Sequence, residues 1–297
     1  MDHQESIPAR GAFLFLSIDM VNSTAYKELE ERWPFVIHRF YLSASEEIRS
    51  ICPRFQTWKY IGDEVVFWRH VRAEDDLPAL VAGVHGACER IRSALDRLGE
   101  QYPIRTRNVI GAKATMWIAA VEYVRNDETL TRTDTNGINN RLIREHHIST
   151  FGRDGGVGEA KNLVDFIGPE IDIGFRISKF AHNRFLLVSA SLGYLLLRND
   201  PDGTGMAARA RVVGFEKLKG VWRERPYPII WYCPDWDNAP RLFQYDEPFD
   251  AAWIARICDG NTRPLSLLEK VLDDTNHLDR ATTVAKLIAD TGAASGV

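Results

Sequence analysis

FLFLSIDMVNST, residues 13–24, is the stretch on which the fold turns. From Ala12 to Ile18 nearly every residue is apolar. A short apolar run without helical spacing reads as a strand buried on both faces. The run stops at Asp19, so rigid backbone delivers a carboxylate to the rim of a sheet. Met20, Val21 and Asn22 then read as a loop, with Ser23 or Thr24 capping the next helix. A carboxylate held this way suits magnesium or manganese. A helix entered from such a loop offers free N–H groups to phosphate. Taken alone, the segment reads more readily as a strand end beside a helix cap.

Working outward, residues 55–67 (FQTWKYIGDEVVF) read as two strands around a Gly62-Asp63 turn. Alone, Asp63 is ordinary turn chemistry. If the hairpin lies beside the first strand, Asp63 at its tip meets Asp19. Two carboxylates in one crevice repel each other, and divalent cations relieve the repulsion. Two metals about 3.5–4 Å apart clamp both oxygens of a phosphoryl displacement.

The rest of the chain supplies further elements. Helices are expected over residues 35–51, after a break at Pro34, and over 77–98. A strand is expected over 109–121, and residues 125–159 read as a long polar loop in which His146 and His147 are solvated. A helix over 170–181, a strand over 185–189 and a strand pair within 212–232 follow. Past Pro234 the composition changes to an irregular segment and two helices, clearest over 265–272, with a frayed tail over 291–297.

Four segments, in order, resemble the class III nucleotidyl cyclases. FLFLSIDMVNST resembles their first metal motif and WKYIGDEVVF, residues 58–67, their second. DFIGPEIDIGFR, residues 165–176, resembles the helix that carries Asn and, four residues on, Arg. LKGVWRERPYPIIWY, residues 218–232, resembles their closing strand pair. The resemblance implies an α+β, ferredoxin-like or palm-type domain with a mixed, mainly antiparallel sheet over residues 12–234. An N-terminal tail (1–11) precedes it and a helical C-terminal extension (235–297) follows.

The resemblance also implies roles. Asp19 and Asp63 would hold two divalent ions, manganese or magnesium, with the backbone carbonyl of Met20. Val21, Asn22, Ser23 and Thr24 would cradle the triphosphate. Arg176 would stabilise charge on the attacked phosphorus. Asp172 stands where the family has Asn, and an ionised Asp accepts hydrogen bonds but cannot donate one to the ribose. As an ordinary helix pair, Asp172 and Arg176 would form an i,i+4 ion pair. A triphosphate-binding lysine is not matched, because Lys217, Lys219, Arg223 and Arg225 all lie nearby. The family further implies a homodimer with its active sites at the interface.

Lys59 and Asp165 match the family's adenine-reading positions. One donor beside one acceptor serves adenine, cytosine or uracil equally. Strand alternation places Trp58 and Tyr60 on the face opposite Lys59. The free-standing form, the polar insert, Asp172 and the C-terminal extension resemble the bacterial pyrimidine cyclases of Pycsar anti-phage defence. This implies UTP as substrate, with CTP or ATP as alternatives, and a separate effector that senses the cyclic product. A diguanylate cyclase and a non-catalytic cyclase-like binding module are the rival readings.

Composition sets the bounds. The chain has 297 residues, 45% hydrophobic and 26% charged, which is a globular balance. A net charge of -4 argues against a nucleic-acid partner. No apolar run is long enough to span a membrane. The polar opening MDHQESIPARG does not read as a signal peptide, and four scattered cysteines suit a reducing cytoplasm.

Overall fold

The computed structural model describes residues 7–107, 109–124, 137–145, 163–200, 205–238 and 264–294. Its centre is β1 (Arg10–Val21), paired antiparallel with β3 (Glu64–His70) and with β4 (Gly111–Tyr123). Beyond β3 lies β2 (Gln56–Ile61), and beyond β4 come β7 (Leu186–Val188), β9 (Pro226–Tyr232) and β8 (Ala210–Lys217). The described sheet has nine strands, mostly antiparallel; β4 pairs in parallel with β7 and with β5 (Asn140–Glu145). The last strand, β6 (Leu163–Ile167), pairs antiparallel with β5.

β1 is buried on both faces, as its apolar run requires. Leu14, Leu16, Ile18 and Met20 enter the main core. That core is shared with α2 (Trp33–Ile51) and α3 (Leu77–Gln101), whose buried residues recur at helical spacing. Pro34 lies in the first turn of α2, where its missing N–H costs no hydrogen bond. α3 starts at Asp76, which accepts from the Ala79 N–H at 3.0 Å. Phe13 and Phe15 point the other way, into an aromatic core with Trp68, Trp117 and Phe166. Period-two alternation puts Ser17 and Asp19 on this second face. β1 does not end at Asp19 but runs on to Val21, because β4 pairs with it all the way to Gly111.

The second face is covered by α4 (Pro169–Ile177), which brings Ile171 and Phe175 to the aromatic core. Two glycines set its position. A Cβ on Gly174 would lie 2.2 Å from the Trp117 ring, so the helix rests directly on that indole. Gly168, at φ 143, lets the chain pass against Asn140. Asn140 is buried and satisfied twice: its amide donates to the Ala120 carbonyl at 2.8 Å, and its oxygen accepts from the Glu170 N–H at 3.1 Å. One polar residue thus ties the sheet to the start of α4.

Several expectations need correction. Residues 125–159 are not all loop, since β5 occupies Asn140–Glu145; NRLIRE hides its strand because its inward positions include the polar Asn140. β6 is a further strand that the sequence reading missed. His146 and His147 lie outside the described residues. So does α5 (Ala190–Arg198) escape the sequence reading, being apolar nearly all round and without a period. Ser189 caps it, accepting from the Leu192 N–H at 3.3 Å.

The C-terminal helices α7 (Pro264–Asp274) and α8 (Leu278–Ala294) bury Leu268, Leu272, Ala281 and Val284 in the main core. Thr291, expected in a frayed tail, lies within α8 and accepts from the Ala73 N–H at 2.7 Å. α6 (Met206–Arg209) is a single turn before β8. No described helix is long and apolar enough to cross a membrane.

Candidate active site

Asp19 and Asp63 come together. Asp63 follows Gly62 in a two-residue turn closed by the Ile61–Glu64 pair, and Gly62 takes the positive φ of 63° that a glycine-first hairpin requires. Asp63 offers its carbonyl to the Met20 N–H at 3.3 Å, pinning the turn to β1. Tyr41 of α2 donates to the Gly62 carbonyl from the other side. The register sets Glu64 and Lys113 directly across from Asp19 on the two neighbouring strands.

Each aspartate of this group has an ammonium partner. Lys113 Nζ lies 3.0 Å from Asp19, and Lys27 Nζ of α1 (Ser23–Leu29) lies 3.0 Å from Asp63. Burial pushes the Asp19 carboxyl up, Lys113 opposes this, and Asp63 beside it raises it further. Burial would also raise Asp63, but hydrogen bonds from Ser23 and Lys27 outweigh it and hold that carboxyl below its usual range. Glu64 is raised by burial, relieved in part by the Ser17 hydroxyl that donates to it. The two aspartates are driven apart in acidity, as carboxylates sharing one site must be.

A divalent cation fits this donor set. Among the described residues no group of three or more His, Cys, Asp or Glu forms a ready cage. Two hard carboxylates and backbone carbonyls nevertheless suit magnesium or manganese. The ammonium groups at 3.0 Å show that positive charge is favoured there. Met20 can contribute only backbone, because its side chain is in the core.

Neither Ser23 nor Thr24 caps α1. Asn22 does, in the left-handed conformation with φ 60, and without a side-chain cap bond. Its amide is drawn instead to the Val109 carbonyl at 3.1 Å. Ser23 is buried against Asp63, whereas Asn22 and Thr24 are exposed.

Lys59 and Asp165 also meet, at 3.0 Å, joining β2 to β6. Asp165 Oδ1 further accepts from the Trp58 indole at 3.1 Å and from the Phe166 N–H at 3.0 Å. Trp58 therefore does not point away from Lys59. A β-bulge between Thr57 and Lys59 breaks the alternation and returns Trp58 to the same side. Its ring centre is 3.9 Å from Lys59 Nζ, and it packs on Phe15, Phe166 and Phe175. Tyr60 remains exposed and packs at a tilt against Tyr41.

Asp172 and Arg176 lie on α4 but form no ion pair with each other. Both are exposed, and both line a cavity of about 560 Å³. The same cavity is lined by Arg223 and Arg225, whereas Lys217 and Lys219 do not line it. None of Asp19, Asp63, Lys59 or Asp165 reaches it. A single chain therefore presents the aspartate pair and the arginine helix as separate sites.

No protein-family model matches the chain, and no curated protein matches it in sequence. Among solved structures, the adenylyl cyclase CyaB from P. aeruginosa is similar, with a TM-score of 0.51 at 16% identity, covering 76% of this chain and 95% of that one. The fold is that of a class III cyclase homology domain. The guanylyl cyclase Cya2 gives a TM-score of 0.49 at 14% identity, covering 75% of this chain and 91% of that one.

Within this cyclase fold the sequence reading missed Lys27, Lys113, Glu64 and Ser17. Lys113 and Glu64 meet Asp19 only through strand register, which no local pattern encodes. Lys27 had a local signal: it lies one helical turn beyond Ser23, on the same side of α1.

Proposed function

We propose that this protein is a nucleotide cyclase that converts UTP to 3′,5′-cyclic UMP and pyrophosphate. The observation that carries this reading is the Asp19–Asp63 pair, held at the junction of β1 and the β2–β3 turn in a cyclase fold. Asp19, Asp63 and the Met20 carbonyl would hold two divalent ions. Bound there, such ions would lower the pKa of the ribose 3′-hydroxyl and offset polyphosphate charge.

The chain's own groups do the rest. Lys59 donates to, and Asp165 accepts from, the edge of the base. Asp165 has one oxygen already occupied by Trp58, Lys59 and Phe166, which leaves the other for the substrate. The Trp58 ring fills space beside this pair and so favours the smaller pyrimidine. Val21, Asn22, Ser23 and Thr24 border the triphosphate. Arg176 donates to the α-phosphoryl oxygens as charge develops. The 3′-oxygen forms a bond to the α-phosphorus and releases its proton to solvent. The bond from the α-phosphorus to the bridging oxygen breaks, and pyrophosphate leaves with the electron pair.

Because one chain keeps Arg176 apart from Asp19 and Asp63, the working unit is a homodimer. Each site takes the aspartates from one protomer and Asp172 and Arg176 from the other. The cyclic product would signal to a separate effector in anti-phage defence.

The test is incubation with ATP, GTP, CTP and UTP in turn, with manganese, and identification of products. Cyclic UMP with stoichiometric pyrophosphate is expected. A different cyclic nucleotide would correct the base alone, and nucleotide binding without pyrophosphate release would defeat the cyclase reading. Asp63→Asn is expected to abolish turnover in a protein of unchanged melting behaviour. Arg176→Ala should lower kcat by about 10³-fold or more while KM moves little.

A further inference from the structure

The corner between α7 and α8, residues 275–277, forms one wall of the cavity that holds Arg176. Three contacts join this corner to the other walls. Arg225 Nη1 donates to the Asp274 carbonyl at the end of α7. The His277 ring lies 4.7 Å from Trp222, in the connection from β8 to β9. Arg280, in the first turn of α8, meets Glu170 of α4 at 2.5 Å. The cavity of about 560 Å³ thus lies where three elements distant in sequence converge, and its size suits a small ligand.

Its charge is one-sided. Among the described residues Arg176, Arg223, Arg225 and Arg280 line it, with Asp172 as the lone lining carboxylate. Among the described residues Arg176 and Arg223 have no ion-pair partner. Unbalanced guanidinium groups around a concave space concentrate anions, and their planar forks match phosphate oxygens in pairs.

The backbone that presents Arg223 is strained. Trp222, Arg223 and Glu224 have φ of 50, 56 and 62, a left-handed run with no glycine. Such strain persists only where surroundings enforce it. Here Trp222 is held between Tyr227 at 4.5 Å and His277 at 4.7 Å. The α7–α8 corner therefore helps to fix the turn that places Arg223 at the cavity.

We infer that the C-terminal helices are a built part of a polyphosphate-binding subsite in this cavity, with Arg280 as its further binding residue beside Arg223 and Arg225. That the bound group is the leaving pyrophosphate of a nucleotide rests on the function proposed above. That the cavity takes a polyphosphate does not.

The experiment is calorimetric titration of the full chain with inorganic tripolyphosphate, which has neither base nor ribose, in metal-free buffer. Nucleotide turnover with manganese is measured in parallel. Arg223→Gln removes an exposed cation that has no ion-pair partner among the described residues. The double variant E170Q/R280Q removes a guanidinium together with the carboxylate it neutralises, so no charge is left stranded. Wild type is expected to bind, more weakly as salt rises, and each variant to bind at least about tenfold more weakly.

Absence of binding to wild type overturns the subsite, even in a protein that cyclises UTP. Loss in Arg223→Gln with unchanged binding in E170Q/R280Q removes the C-terminal corner from it. If the double variant does not fold, Arg280→Lys replaces it; this keeps the charge but loses the fork, and unchanged binding there is equally decisive against the corner. Tripolyphosphate binding that both variants lose, in a protein that releases pyrophosphate from no nucleotide, upholds the subsite and defeats the cyclase reading instead.

Discussion

Lys59 and Asp165 hold each other at 3.0 Å, and Trp58 lies against both of them. A donor and an acceptor alone do not separate uracil from adenine, so the wall beside them must. Trp58 is that wall. Trp58→Ala opens the space while keeping the ion pair, and its expected effect is a change of preference. The ratio of kcat/KM for UTP to that for ATP should fall by at least about tenfold, within the range one pocket contact supplies. Competition assays with both nucleotides read this ratio directly. An unchanged ratio would remove Trp58 from base selection. The contrast with Asp19 and Asp63 shows what a sequence carries at this scale. A strand running into Asp, and Gly before Asp between two strands, are local patterns. The side on which Trp58 emerges depends on a bulge set by pairing with β3, and the approach of Lys113 to Asp19 depends on the register of β1 with β4.

At the scale of elements, α4 is the part whose position decides most. It rests on Trp117 through Gly174 and starts at Gly168 against Asn140. Gly174→Ala would drive a methyl group into a buried ring that is stacked on Phe15. The expected cost is about 1–3 kcal/mol, seen as a lower urea midpoint at constant slope, with kcat reduced because Arg176 rides on the same helix.

The α7–α8 corner has its own signature. Burial, then Arg280, hold the His277 imidazole below its ordinary 6.5, while the Thr275 carbonyl and Glu170 act in the opposite direction. Nδ1 lies 2.7 Å from the Thr275 carbonyl, so in the neutral ring that nitrogen carries the hydrogen. The unfolded chain takes up its proton first as pH falls. It therefore binds more protons than the folded chain below about pH 6.5, and stability declines from there down through the folded value. Melting temperatures from pH 7 to pH 5 should fall less steeply in His277→Gln than in wild type. Equal slopes would show that the ring protonates freely in the folded protein. Neither element was fully legible beforehand. The motif of α4 gave its residues but not the indole beneath it, and the corner gained meaning only when Trp222 and Arg280 were brought to it from elsewhere.

At the scale of the whole molecule, the proposed reaction would draw on two groups of residues that one chain does not bring to a single cavity. Asp19 and Asp63 stand at the β1 rim with Lys27 and Lys113, while Asp172 and Arg176 enter a cavity that none of these four lines. On the proposed function a cyclisation needs both groups on one phosphate chain, and a second copy would supply what the first holds elsewhere. Apolar side chains left in solvent at Tyr60, Ile61, Ile167 and Phe215 give such a copy surface to cover. Complementation tests this without any structure of the dimer. Asp63→Asn and Arg176→Ala are each expected to be inactive alone. Mixed in equal amounts and allowed to exchange, half of the dimers become heterodimers, and each of these has one site with all its groups intact and one with neither. Activity should therefore recover to about a quarter of wild type. The recovery should scale with the product of the two variant concentrations and vanish when either is omitted. Recovery of nothing, with exchange verified by sedimentation of tagged chains, would mean that the two groups work within one protomer and that the separation seen in the single chain closes by a movement of α4.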